Sequence, residues 1–289
     1  MYLSPSGHPQ PRYTVTNRPC ICNIKNPPDT YNELFLLYFN PCTPVRLLPA
    51  RGKHRTLGRL KSGKRRNTQM NQLNIEQARF NMIEQQVRPW DVLDPQVLDT
   101  MNAVPRELFV PERYRSLAFA DTSIPLGHDE VMMAPKLEGR LLQALAITPT
   151  DRILEIGTGS GYLTACLARL GQHVTSYDIH ADFTSTAGEA LQAQSIDNVT
   201  LITADVASGI DSDERFDAIA VTGSIPVLQQ QFYRNLSIGG RLFVITGEVP
   251  IMEACQISRL DEHNWSRESL LETCIPPLQN AAKPQQFVL

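Results

Sequence analysis

From residue 151 onward, short apolar runs alternate with amphipathic stretches. Strands read at Arg152–Ile156, His173–Asp178, Val199–Thr203, Phe216–Val221 and Arg241–Thr246. The first leads into a helix ending at Leu170, the second into one around Phe183–Gln194, and the fourth into one at Leu228–Leu236. Gly239-Gly240 reads as the turn into the fifth strand. Gln256–Arg259 and Leu270–Cys274 read as one or two further strands. Repeated β-α units with near-continuous apolar strands predict a doubly wound, mostly parallel sheet with helices on both faces. Upstream, Ile75, Ala78, Met82 and Val87 recur at near-helical intervals until Pro89 stops or bends the helix. Asp94 as cap and Pro95 in the first turn open a second helix to Met101. A loop from Asp121 to Pro135 and a helix over Lys136–Ala146 complete this lead-in.

Charge divides the chain differently. Residues 1–69 carry 12 Lys and Arg against 2 Asp and Glu, whereas the remaining 220 carry 15 against 28. The basic segment holds nine of the 21 prolines and no sustained period, so a disordered tail is expected. It reads as a charge-driven tether, a targeting peptide, or upstream sequence read from too early a start. Met70 begins a clean amphipathic stretch, which favours the third. The chain thus divides into a 1–69 tail and a 70–289 domain whose helical lead-in covers 70–146. No apolar run approaches the roughly 18 residues that span a bilayer. The six cysteines show neither zinc spacing nor a disulfide framework, so no metal is expected and a cytoplasmic, reducing setting fits. Cys166 reads as a small core residue, Trp90 as a packing anchor and Arg88 as half of a surface ion pair. His128 and His173 have no assignable carboxylate partner.

The candidate chemistry begins at Leu154–Tyr162, LEIGTGSGY. A strand, a loop with Gly157, Gly159 and Gly161, and a helix follow in that order. Glycine lets the backbone turn sharply and lets a ligand lie against it, and the helix start offers unpaired N–H groups. The dinucleotide fingerprint is spaced G-x-G-x-x-G. The spacing here is G-x-G-x-G, which favours a smaller nucleoside bearing an amino acid. Ligands of such sheets sit at the carboxyl ends of the strands. Asp178 stands there to accept from ribose hydroxyls, Asp205 to accept from an adenine amine, and Ile179 and Val206 to sandwich the base. Thr222, Gly223 and Ser224 follow the fourth strand, and Glu155 lies inside the first.

At these residues the chain resembles the S-adenosylmethionine-dependent methyltransferases of the seven-stranded, Rossmann-like α/β fold. The segments VPRELFVP (104–111), AFAD (118–121) and IPLG (124–127) narrow the resemblance to the protein-L-isoaspartate O-methyltransferases, over roughly residues 72 to 250. That family methylates the carboxylate of isoaspartyl residues in damaged proteins. The resemblance implies S-adenosylmethionine as cofactor. Gly157, Thr158, Gly159 and Gly161 would line its methionine part, Asp178 its ribose and Asp205 its adenine, with Glu155, Ile179, Val206 and Thr222 nearby. It implies a protein or peptide partner with isoaspartyl residues, and we expect neither membrane nor nucleic-acid binding, and a monomer.

One position departs. Where the family carries an active-site Ser or Thr, this chain has Met133, a thioether that donates no proton. Thr122, Ser123, Thr222 and Ser224 are candidate replacements, with Thr222 and Ser224 carried forward as the catalytic candidates. Asp129 and Glu130 would repel a carboxylate unless they point outward. Three readings stay open: the repair methyltransferase, a same-fold methyltransferase with another acceptor, and a cofactor-binding module without repair activity.

Overall fold

The computed structural model describes residues 74–210 and 213–284, so the expectations for residues 1–69 lie outside the described residues. Helix α1 covers residues 74–82. It widens into a π turn at Ile83–Val87, tightens into a 3-10 turn at Arg88–Trp90, and ends where Asp91 turns left-handed. Pro89 sits inside that tightened turn, as its missing donor requires. Met82 and Val87 are fully buried, while Ile75 is exposed. In α2, Pro95–Ala103, the Asp94 carboxylate accepts from the Gln96 N–H at 2.8 Å, a stop on helix fraying worth about 1 kcal/mol. Helix α3 runs Pro135–Leu145, one residue earlier at each end than the sequence predicts.

The stretch predicted as a plain loop holds a hairpin of β1, Ile124–Gly127, and β2, Glu130–Met132. His128 and Asp129 both have positive φ at its tip, the twist that two-residue hairpin turns favour. No Asn-Gly or Asp-Gly pair announces it. The main sheet contains β3 Arg152–Ile156, β4 His173–Asp178, β5 Val199–Thr203, β6 Phe216–Ile225, β7 Leu236–Glu248, β8 Ile251–Arg259 and β9 Trp265–Thr273. Its order is β5-β4-β3-β6-β7-β8-β9. The first five pair in parallel, and β8 and β9 close the edge antiparallel. Helices α4, Tyr162–Leu170, α5, Ala181–Ala193, and α6, Gln230–Arg234, connect the parallel strands.

Two predicted boundaries fail around β7. Gly239-Gly240 lies inside the strand rather than in a turn before it. Between Phe216↔Leu236 and Ala218↔Arg241 the register slips, and Gly239 at φ 80° absorbs the extra residues as a bulge. Because β7 takes Leu236, the helix predicted at Leu228–Leu236 shrinks to α6.

The strands read as unbroken apolar runs because both faces are covered. Ile153, Val174, Ala218 and Phe243 pack on one side with Leu141, Leu142, Cys166 and Leu167 of α3 and α4. Leu154, Ile156, Ile219 and Val244 pack on the other with Phe232 and Leu236. Each fully buried Leu, Ile or Phe contributes about 1.5–3 kcal/mol, which sets the strand register against slips that would turn polar groups inward. Cys166 and Cys255 are free and buried. Among the described residues, no helix is long and apolar enough to cross a membrane.

The sheet order reverses around β3, which has β4 on one side and β6 on the other. Such a switch point opens a crevice at the carboxyl ends of the strands.

Candidate active site

That crevice is a pocket whose lining includes residues from every parallel strand end except that of β7. The glycine loop forms its floor. Gly157 and Thr158 donate to the Tyr177 carbonyl at 2.8 and 3.2 Å, so the loop is sewn to β4. A Cβ on Gly157 would collide with the Thr222 hydroxyl, and its φ of 97° disfavours any other residue. A Cβ on Gly159 would stand 3.2 Å from Leu126 on the facing hairpin and fill the gap between the walls. The cradle therefore fits a ligand lying against bare backbone.

Asp178 is buried at the end of β4. It accepts from the Gly159 N–H at 2.8 Å through one oxygen and from the His180 N–H at 2.9 Å through the other. A carboxylate has about four acceptor sites, so each oxygen keeps one for a ligand hydroxyl. Asp205 accepts from Ala207 N–H at 3.1 Å and from the Asn280 amide at 2.7 Å. Thr158, Ile179, Val206 and Thr222 also line the pocket.

Three expected site residues fall elsewhere. Glu155 points into the core beneath the loop and does not line the pocket. Its Oε2 accepts from Thr164 at 2.5 Å and from Ser176 at 2.6 Å, while Thr158 Oγ1 and Ser176 Oγ lie 2.6 Å apart. Burial pushes this carboxyl up to about 8, against those two hydrogen bonds. Strand alternation decides this: Glu155 shares a face with Ile153, whereas Leu154 and Ile156 share the other. Gly161 turns away from the pocket at the start of α4, where a Cβ would meet Ala187 of α5 at 2.8 Å. Ser224 is fully buried and its hydroxyl donates to the Ile275 carbonyl at 3.2 Å, which removes it as a catalytic hydroxyl. Thr222 does line the pocket, but its proton is engaged by the carbonyls of Ile156 and Gly157 at 3.0 and 2.8 Å. Thr122 and Ser123 are exposed and lie outside the lining.

The opposite wall comes from β1, β2, the segment to Pro135 and the first turn of α3. Leu126, Glu130, Met132, Met133 and Glu138 line it. Glu130 faces inward rather than out. Burial raises its pKa first, the charges of Asp178 and Asp129 add to that, and a hydrogen bond from Gln279 opposes it. Behind this wall Arg106, from the VPRELFVP segment, is fully buried. It donates to the Ala118 carbonyl at 2.9 Å and the Met133 carbonyl at 2.8 Å, and pairs with Glu138.

The sequence missed the third wall. Ile275, Pro276, Leu278 and Gln279 cross the pocket mouth, anchored by Ser224 N–H to Pro276 O at 3.0 Å and Leu278 N–H to Ser224 O at 2.9 Å. The Gln279 amide reaches the His128 carbonyl, Glu130 and His180. His128 stacks on His180 with centroids 3.9 Å apart and meets Asp182 at 3.0 Å, the carboxylate partner that its sequence neighbours did not reveal. His128, His180 and Asp182 lie close enough to hold an ion. However, the ring planes are 8° apart, so their in-plane lone pairs run side by side and do not converge. The cluster acts as a clasp between the hairpin tip and α5. Trp90 carries Lys136 over its ring at 4.4 Å, and Arg88 pairs with Glu84 at 3.2 Å on the surface.

A sequence profile of the protein-L-isoaspartate(D-aspartate) O-methyltransferase family matches residues 77–281. A protein-L-isoaspartate O-methyltransferase of Rhodopseudomonas palustris is 34% identical over 206 residues, covering 71% of this chain and 94% of that protein. One of Koribacter versatilis is 32% identical over 200 residues, covering 69% and 90%. Among solved structures, a Plasmodium falciparum protein described as a putative protein-L-isoaspartate O-methyltransferase, in complex with S-adenosyl-L-homocysteine, superposes with a TM-score of 0.59. That match has 22% identity and covers 71% of this chain and 98% of that one, and it shows the shared fold. The profile match across the hairpin, the glycine loop and the closing segment establishes that this chain belongs to the protein-L-isoaspartate(D-aspartate) O-methyltransferase family.

Proposed function

We propose that this member of the family, an S-adenosylmethionine-dependent O-methyltransferase, methylates the carboxylate of isoaspartyl residues in damaged proteins. The observation that carries the reading is one pocket walled on one side by Gly157, Gly159, Asp178 and Asp205, and on the other by the hairpin and Met133. S-adenosylmethionine would supply a methyl group activated on a sulfonium. Gly157, Thr158 and Gly159 would hold its amino-acid part against bare backbone. Asp178 would take the ribose hydroxyls on its spare acceptor sites. Asp205, beside Asn280, would take the adenine amine, with Ile179 and Val206 on the flat faces of the base.

The acceptor carboxylate is ionised at neutral pH, so no general base is needed. Thr222, with its proton engaged, and Met133, with none to give, are compatible with such a step. The residues act by positioning and by excluding water: the hairpin, the His128–His180 clasp and the 275–280 segment cover the reacting centre. The same reading carries the finer expectations of a cytoplasmic monomer that acts on isoaspartyl-bearing proteins.

The test is methyl-ester formation on an isoaspartyl peptide against its normal aspartyl counterpart, with S-adenosylhomocysteine binding followed by calorimetry. Ester on the isoaspartyl peptide alone is expected. Binding of S-adenosylhomocysteine without any ester would overturn the reading. It would favour the second one, an acceptor of different chemistry, which Met133 at the family's hydroxyl position supports.

A further inference from the structure

We propose that Glu138 is a specificity-determining residue: it masks the buried Arg106 guanidinium at the acceptor end of the pocket and so weakens the hold on carboxylate acceptors. The inference rests on the isoaspartyl reading for its choice of acceptor.

Four carboxylates line the pocket, Glu130, Glu138, Asp178 and Asp205, and among the described residues no Lys or Arg lines it. An anionic acceptor enters against that field. The cation directly behind the lining is Arg106, whose Nη2 donates to the carbonyl of Met133, itself a lining residue, at 2.8 Å. Its Nε is held by Ala118 O at 2.9 Å, and its guanidinium carbon lies 4.8 Å from the centre of the Tyr162 ring. The side chain is therefore fixed and dry, where its charge is least screened. Glu138, 2% exposed and also in the lining, neutralises that charge by pairing with Nη1. With Glu138 ionised the pair has no net charge, and the remaining lining acids dominate. With Glu138 neutral, a positive charge stands behind Met133, where the acceptor carboxylate has to sit.

The groups facing Glu138 are few. Arg106 comes from the 3-10 turn Arg106–Leu108, and Tyr162 and Cys166 come from α4. Burial drives both α4 groups upward, so they stay uncharged at neutral pH. Glu130 lies farther along the same wall, on β2, and Asp178 on the facing wall. Burial lifts Glu138 to about 7 even against Arg106, which brings its change of charge into the working range. Below that pH Glu138 is protonated and Arg106 is unmasked, so the acceptor KM is low. Above it the pair is neutral and KM rises. The isoaspartyl carboxylate stays ionised throughout. Glu130 is also raised and pushes in the same direction, so a variant at position 138 has to separate the two.

The experiment uses the full chain and measures kcat and KM for an isoaspartyl peptide, together with S-adenosylhomocysteine affinity, from about pH 6 to about pH 8.5. For the wild type we expect KM to rise about fivefold across that range, a modest electrostatic effect. In Glu138→Gln the KM should lie at the wild-type acid limit and lose most of its pH dependence, and Glu138→Asp should restore the dependence. The change should fall in KM rather than in S-adenosylhomocysteine affinity. A Glu138→Gln profile that matches wild type, or a shift confined to S-adenosylhomocysteine affinity, overturns the inference. Should Glu138→Gln fail to fold, Glu130→Gln decides: a rise in KM that persists in Glu130→Gln supports the inference, and a flat wild-type profile, or one that Glu130→Gln flattens, overturns it. If the wild type forms no ester at any pH, the proposed function fails separately. Calorimetry of the peptide onto the S-adenosylhomocysteine complex then decides the masking: tighter binding by Glu138→Gln supports it, and equal binding, or none by either protein, overturns it.

Discussion

The two walls of the pocket are built on opposite principles. The cofactor wall is mostly backbone: Gly157 and Thr158 are sewn to β4 by main-chain hydrogen bonds, and Asp178 is aimed by the N–H groups of Gly159 and His180, 19 and 2 residues away. The acceptor wall is held by a side chain. Arg106 reaches 12 residues to Ala118, 27 to Met133 and 32 to Glu138, and none of these ties is backbone to backbone. The first wall tolerates almost no added atom, whereas the second tolerates new chemistry provided its charges stay balanced. That difference accounts for a glycine loop of bare backbone facing a wall that carries the thioether of Met133.

The largest effect should come from unbalancing the acceptor wall. Arg106→Met leaves Glu138 buried without its counter-charge, at a cost of about 3–5 kcal/mol in denaturant unfolding. The double variant Arg106→Met/Glu138→Leu should recover at least half of that. A double variant no more stable than the single one would mean that the arginine's hold on the Ala118 and Met133 carbonyls dominates instead. Next comes the cofactor wall: Gly157→Ala sets a Cβ into the Thr222 hydroxyl at a positive φ, and S-adenosylhomocysteine affinity should fall about 100-fold, or about 3 kcal/mol, by calorimetry. Unchanged affinity would show that the loop yields, and the contrast between the walls would fail.

A smaller effect tests the core beneath the loop. Glu155 titrates near 8 when folded and near 4.5 as a free side chain, so the folded protein binds the extra proton between those values. Its contribution is fully present below about pH 4.5 and is lost as pH rises through about 8. Glu138, also raised, contributes in the same direction. Thermal unfolding should therefore move down between about pH 5 and 8, and Glu155→Gln should flatten most of that slope; an unchanged slope would assign it to Glu138. The smallest effect belongs to the pocket mouth. Asn280→Ala removes one exposed hydrogen bond to Asp205 and should alter S-adenosylhomocysteine affinity by less than about threefold.

The parallel core was legible from residue pattern alone, because β3, β4 and β5 match their apolar runs to the residue. The glycine loop, Asp178 and Asp205 were legible because they lie at strand ends, where chain order already dictates place. Glu155 was misread, since proximity to the loop in sequence says nothing about which face of β3 a side chain takes. The bulge at Gly239 and the short α6 were hidden because a Gly-Gly pair reads equally well as a turn and as a kink within a long strand.

By itself the chain determined the strands, the loop and the acids at their ends, since these are set by local period and by residues adjacent along the backbone. Only the tertiary structure decided what faces them. Arg106 with Glu138, the His128–His180 clasp and the 275–280 segment meet across tens to more than a hundred residues of sequence. Their partnership is a matter of packing and charge, and neither leaves a periodic mark in the residues themselves.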